Sequence, residues 1–289
     1  MTPFDYLRPG GLAEASEAWA EAGASARLLA GGTDLTVALR HGHLKTGLVI
    51  DLKAVADIAP DISTDAGALR VSARTTMMQL GRYLGERGLL PALREAVEVV
   101  GSIQIRNRAT LAGNICNASP AADTVPVLAA LAARVELYGP NGTRSCAVAE
   151  FIEGNRVIDL AAGEIVTAVV IPLAEEPLGT AFDRITRRRG VDLATTNMGC
   201  TVSASGDVVI AFGAVSPRPL VLRDETGVLG DPAGAPEDRA DAIGRLVAEA
   251  TPITDVRASA DYRTAMLKVM TERGLAKARA RLAEAARDA

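Results

Sequence analysis

Apolar positions recur at helical spacing over residues 11–23, where Leu12, Ala15, Trp19 and Ala22 share one face and Gly23 stands ready to end the helix. The period then shortens. Residues 27–29 read as a strand, 35–39 return to helical spacing, and 48–52 and 68–73 read as two more strands. Helical period resumes over 76–87 and 91–100. Ser119-Pro120 predicts an apolar helix over 121–133, with Ser119 as N-cap and Pro120 as its first residue. Residues 134–138 and 144–148 flank Pro140-Asn141-Gly142-Thr143, a strong hairpin signal, and 164–171 adds a strand that Pro172 ends. Residues 173–179, L-A-E-E-P-L-G, form a polar link, the best boundary in the chain. Beyond it, 181–186, 193–203 and 208–215 predict a three-stranded antiparallel meander, and 236–249 and 258–281 predict closing helices. The mixture is α+β.

One stretch breaks the pattern. Residues 103–122, I-Q-I-R-N-R-A-T-L-A-G-N-I-C-N-A-S-P-A-A, hold two arginines and three asparagines between apolar flanks and run directly into Asp123. They are too polar for a core element and read as a binding loop. Within them Thr110, Ala112, Gly113 and Asn114 form a T-x-A-G-N turn, whose small side chains leave backbone N–H groups open to an anion. A second small-residue turn, Ala30-Gly31-Gly32-Thr33-Asp34, lies between a strand signal and a helix signal, with Thr33 or Asp34 positioned as a cap. Together the two turns suit a pyrophosphate.

Composition narrows the class. With 289 residues, 48% hydrophobic and 23% charged, the chain can bury a large core. A net charge of -4 and a pI near 5.4 give no basic surface for nucleic acid or anionic membrane. No apolar run of membrane-spanning length occurs and the first residues have no signal-peptide core, so a cytoplasmic protein is expected. Cys116, Cys146 and Cys200 are scattered, without the spacing of a metal or cluster site. His41 and His43 read as exposed helix-end residues, Cys116 as packing, and at least one of Arg106 and Arg108 as a brace for the loop. The Arg187-Arg188-Arg189 run is a solvated cluster, a docking surface for an acidic partner or an electrostatic influence on a bound cofactor.

The segments L-A-G-G-T-D-L, Q-I-R-N-R-A-T-L-A-G-N-I-C-N-A-S-P-A-A-D-T, A-F-D-R-I-T-R-R-R-G-V-D-L-A from Ala181 and S-A-D-Y-R-T-A-M-L from Ser259 resemble the FAD-binding medium subunit of molybdenum hydroxylases. That family includes the flavoprotein subunits of xanthine dehydrogenase and carbon monoxide dehydrogenase. The resemblance covers nearly the whole chain. It implies a two-subdomain FAD-binding fold of the vanillyl-alcohol oxidase type over 1–175, divided near 58, followed by a smaller domain over 179–289 with a three-stranded antiparallel sheet and helices.

The same resemblance assigns residues to a non-covalent FAD. Leu29, Ala30, Gly31, Gly32, Thr33, Asp34, Leu35 and Thr36 are implied to wrap the pyrophosphate from one side, and Thr110, Ala112, Gly113 and Asn114 from the other. Asp123 is implied on the adenosine side. Val100 and Val166 fall where the family has apolar flavin contacts, and Ile103 and Gln104 lie on the same approach. Arg184 stands where lysine is usual, a cation near the flavin ring, and Asp192 lies near the flavin's exposed edge. No side chain is implied as a nucleophile or a metal ligand.

By resemblance the chain is an electron-transfer subunit of a three-component molybdenum hydroxylase, organised as a dimer of heterotrimers. A large subunit carries molybdopterin, a small subunit carries [2Fe-2S] clusters, and this chain's FAD passes electrons to an external acceptor. The other readings are a free-standing flavin-dependent oxidoreductase of the same fold and a flavin-free scaffold. The two-domain organisation predicts that removing the chain from about Gly179 leaves FAD binding largely intact.

Overall fold

Three larger sheets and one two-stranded ladder carry the chain, in a computed structural model that describes residues 2–288. The first is parallel. Strands β1 (Asp5–Leu7), β2 (Ala26–Leu29) and β3 (Leu48–Asp51) lie in the order β1-β3-β2, with helices α1 (Leu12–Ala22) and α2 (Leu35–Arg40) in the connections. Ala15 on α1 packs with Ala26, Ile50, Val55 and Ile58 in a small core, and Trp19 covers its side. Because the strands are parallel, the chain leaves β2 at the sheet's carboxyl edge, where open α/β sheets collect ligands. The glycine turn after Leu29 starts there.

The second sheet is antiparallel, in the order β4-β5-β10-β6-β7. Its strands are β4 (Ile62–Asp65), β5 (Ala68–Ser72), β6 (Arg134–Gly139), β7 (Gly142–Ala147) and β10 (Ile165–Pro172). The central β10 is apolar and almost wholly buried. Between β5 and β6 come α3 (Met77–Arg87), α4 (Pro91–Glu98), α5 (Ile103–Arg106), α6 (Leu111–Cys116) and α7 (Thr124–Ala130). Helix α3 starts with a capping box in which Thr76 and Gln79 satisfy each other's amides, and Pro91 fits the first turn of α4. A short helix α8 (Val148–Phe151) and the two-stranded ladder β8 (Ile152–Gly154) and β9 (Val157–Ile158) lead back to β10. Ser16 donates to Gly163 O at 2.7 Å, joining α1 to the turn before β10.

The third sheet has four antiparallel strands where the sequence predicts three: β11 (Leu178–Ile185), β12 (Thr196–Ser203), β13 (Val208–Gly213) and β14 (Leu220–Arg223). The fourth strand lies at an edge behind Pro217 and Pro219, and prolines mask a strand signal while being tolerated at an edge. Strand β12 starts at Thr196 rather than 193, so residues 186–195 form a longer connection than predicted. Helices α9 (Pro236–Val247) and α10 (Ala260–Asp288) pack on this sheet, with Leu267, Met270, Leu275 and Ala278 of α10 in its core.

The other sheet face meets α7. An added Cβ at Gly199 would lie 2.5 Å from Val127 Cα, so helix and strand backbones are in direct contact there. Glu95 of α4 accepts from Lys277 at 2.7 Å and pairs with Arg281, tying α4 to α10. Among the described residues no helix is long and apolar enough to cross a membrane.

Candidate cofactor site

The first motif turns immediately after β2. Gly32 has φ +78, a backbone that side chains rarely adopt. A Cβ on Gly31 would lie 2.2 Å from Arg108 O and 2.9 Å from Ala109 Cα. Gly31 therefore admits the segment that enters the second motif. Neither Thr33 nor Asp34 caps α2, contrary to the sequence expectation: Asp34 makes no capping bond, and its Oδ1 accepts from Asn117 Nδ2 at 3.1 Å. Thr36 closes the turn on itself, its N–H and hydroxyl both donating to Gly32 O, at 3.0 and 2.6 Å. Leu35 begins α2.

The second motif is a helix start rather than a free turn. Thr110 is the N-cap of α6, its Oγ1 accepting from Gly113 N at 3.0 Å. Leu111 and Ala112 point into the core, and Asn114 has ordinary helical backbone. Asn114 Oδ1 accepts from Thr124 Oγ1 at 2.7 Å, coupling α6 to α7. A Cβ on Gly113 would meet only Thr110 Oγ1, at 3.0 Å, so that face of the first turn is otherwise open.

Helix α7 starts at Thr124, not at Pro120 as predicted. Pro120 O is used by Ala214 N, 2.7 Å away just past the end of β13, and this tertiary bond takes the place of a helical one. Asp123 thus stands just before α7, 7% exposed, between two donors from the third sheet. Arg184 Nη1 of β11 lies 2.8 Å from its Oδ2, and Asn197 Nδ2 of β12 lies 3.0 Å from its Oδ1. Burial raises its pKa above the usual carboxylate range despite the Asn197 and Arg184 donors. Sequence reasoning missed Asn197. Its only signal was an amide between Thr196 and Met198 in a predicted strand.

Arg184 also reaches Val99 O at 3.5 Å and Gly190 O at 3.4 Å, so the segments before α5 and after β11 converge on it. Val100 is half-buried on the main core, and Ile103 and Gln104 at the start of α5 are exposed, Ile103 at 59%. Arg106 braces this corner by donating to Val100 O and Gly101 O. Ile103 and Arg106 also line a cleft of about 560 Å³ with Met77, Gly81 and Val97. Asp192 is held in the 186–195 connection by Arg187 at 3.3 Å and by Leu193 N, and the Arg187 hydrogen bond lowers its pKa. Val166 differs. It sits at a bulge in β10, 5% exposed, within the main core.

The two glycine motifs, Asp123, Arg184 and the Val100 corner are therefore one connected region, with Asp192 linked through Gly190. Burial pushes the Cys116 thiol up to about 12, so it is packed rather than reactive. His41 and His43 stack with ring centroids 5.9 Å apart on an exposed helix end. Among the described residues no group of three His, Cys, Asp or Glu could hold a metal.

A family model described as the FAD binding domain in molybdopterin dehydrogenase matches residues 2–174, and one described as the CO dehydrogenase flavoprotein C-terminal domain matches 181–278. The chain belongs to the molybdenum hydroxylase FAD-subunit family. It is 31% identical to the carbon monoxide dehydrogenase medium chain of Afipia carboxidovorans, over 96% of this chain and 97% of that one. It is 29% identical to the xanthine dehydrogenase FAD-binding subunit of Escherichia coli O157:H7, over 94% and 95%. Reconstituted CO dehydrogenase from Oligotropha carboxidovorans superposes with a TM-score of 0.89 at 29% identity, covering 97% of this chain and 99% of that one. The α+β FAD-binding fold and an oxidoreductase subunit role follow from this membership.

Proposed function

We propose that the chain is the FAD-bearing electron-transfer subunit of a three-component molybdenum hydroxylase, accepting electrons from a [2Fe-2S] subunit and delivering them to an external acceptor. The observation that carries the reading is the contact between the first glycine motif and the residues that lead directly into the second, made possible by a Gly31 that has no room for a Cβ beside Arg108 O. Two distant small-residue segments are brought to one place with open backbone at Gly113. A pyrophosphate would use that backbone.

FAD, when bound, supplies the redox chemistry, and the protein contributes binding, orientation and electrostatics. Leu29 through Thr36 and Thr110 through Asn114 would hold the pyrophosphate from two sides. Asp123 already accepts from Arg184 and Asn197, one donor on each oxygen, and each oxygen has a further lone pair for a ribose or adenine donor. Arg184 is engaged by Asp123, so its charge is largely spent before a flavin arrives. Val100, Ile103 and Gln104 would bound the flavin approach, and Asp192 its outer edge. Val166 would act from within the core, by packing beneath that approach.

The large molybdopterin subunit, the small [2Fe-2S] subunit and a cytoplasmic dimer of heterotrimers complete the proposed assembly. The test is an absorption spectrum of the purified chain before and after FAD addition and gel filtration, with the acid-released cofactor identified by chromatography. Retained FAD with bands at about 370 and 450 nm supports the reading. A chain that takes up no FAD even with its partner subunits present refutes it.

A further inference from the structure

Asp123 belongs by sequence to the first 175 residues, yet both side chains that hold it come from the third sheet. Arg184 and Asn197 are directly opposite in the β11–β12 register, and each donates to one carboxylate oxygen, at 2.8 and 3.0 Å. Asn197 is fully buried and its Nδ2 also reaches Ala122 O at 3.3 Å. Its other amide atom, Oδ1, has no partner among the described residues and lies against the Gly213 backbone, where a Cβ would approach to 2.2 Å.

That orphaned acceptor is informative. A residue needed only to fill space in a buried strand would be apolar and leave no polar atom unsatisfied. Flipping the amide would turn Oδ1 onto a carboxylate, so the orientation with the donor toward Asp123 is the one this pocket enforces. From Asp123 the next residue, Thr124, bonds Asn114 of the second glycine motif at 2.7 Å. A continuous path runs from the third sheet into the backbone that faces the pyrophosphate.

We propose that Asn197 is a positioning residue for the FAD site: together with Arg184 it fixes Asp123 and the start of α7, and through Thr124 it sets Asn114 and the first turn of α6. The inference rests on the FAD reading above. It makes the third sheet a working part of the cofactor site, although none of its other residues is required to touch FAD.

The test uses the full chain, with FAD titrated by flavin fluorescence and folding of the flavin-free protein followed by circular dichroism. Asn197→Asp keeps the side-chain shape but sets a carboxylate about 3 Å from Asp123, so that two like charges repel at high pH and one proton bridges the pair at low pH. FAD affinity is expected to fall ~10-fold or more at about pH 8 and to recover toward wild type near about pH 5.5, where a shared proton restores the hydrogen bond. Asn197→Leu is expected to lose affinity without that recovery. A wild-type Kd for Asn197→Asp at both pH values, or losses for the Asp and Leu variants that are equal and independent of pH, overturns the proposal. If neither variant folds, Thr124→Val breaks the same path with an isosteric change, and undiminished FAD affinity in it overturns the proposal. A wild-type chain that binds no FAD, alone or with its partner subunits, overturns the FAD reading and this inference with it, whereas wild-type binding with indifferent variants overturns the inference alone.

Discussion

Gly113 and Gly31 separate two uses of the same residue type. At Gly113 an added side chain meets only the Thr110 hydroxyl, so Gly113→Val is expected to leave the chain folded while occupying the backbone approach to the pyrophosphate. The expected outcome is a far-UV spectrum like wild type with no flavin retained through gel filtration. Wild-type FAD affinity in that variant would remove Gly113 from the site. At Gly31 the neighbour is backbone, 2.2 Å from an added Cβ, and neither segment can yield cheaply. Gly31→Ala is therefore expected to lower stability by about 1–3 kcal/mol, as overpacking does, and to weaken FAD binding together with it. A thermal melt and a flavin titration on one preparation check both. The A-G-G-T-D and T-x-A-G-N segments were legible in the sequence as phosphate-type turns because small residues between a strand and a helix signal leave few other uses. Asn197 was not legible, since its meaning depends on a carboxylate 74 positions away.

At the scale of elements, helix α7 is where local rules were ambiguous. Ser119-Pro120 has the form of a helix start, but so has a helix beginning at Thr124 with Pro126 in its first turn, a position where proline is tolerated. The bond from Ala214 N to Pro120 O decides for the later start. That register brings Asp123 to Arg184 on β11. Removing the cation by Arg184→Met would leave a buried carboxylate facing only Asn197, and breaking a buried pair on one side costs about 3–5 kcal/mol. The pH dependence has a definite sign. Burial raises the pKa of Asp123, so the folded state holds this proton more tightly than the unfolded chain does, and its contribution falls as pH rises through the folded value. Loss of Arg184 enlarges that effect. The melting-temperature deficit of Arg184→Met relative to wild type is expected to be larger at about pH 8 than at about pH 5, and a deficit that does not change with pH would mean the carboxylate is not ionised beside Arg184.

For the whole molecule, the link at 173–179 separates two stretches of sequence more cleanly than it separates two functions. Gly199 lies against the α7 backbone, Ala214 bonds Pro120, and Lys277 and Arg281 hold Glu95. Removing the chain from about Gly179 would strip Asp123 of both donors and expose the apolar face of α7. Contrary to the expectation from the two-domain organisation, we expect the truncated chain to lose FAD binding, measured by flavin titration against the full chain. Wild-type affinity in a soluble truncation would argue that the two stretches are independent. The sequence by itself determined the α+β class, most helices and strands, the two glycine motifs and their order, and the family they resemble, because helical and strand periods, caps and small-residue turns act over a few neighbouring positions. The tertiary structure alone decided that Gly31 abuts Arg108, that α7 begins at Thr124, that a proline-flanked edge strand completes the third sheet, and that Arg184 and Asn197 share Asp123. Those outcomes depend on backbone contacts and buried charge between residues far apart in the chain, for which local pattern carries no signal.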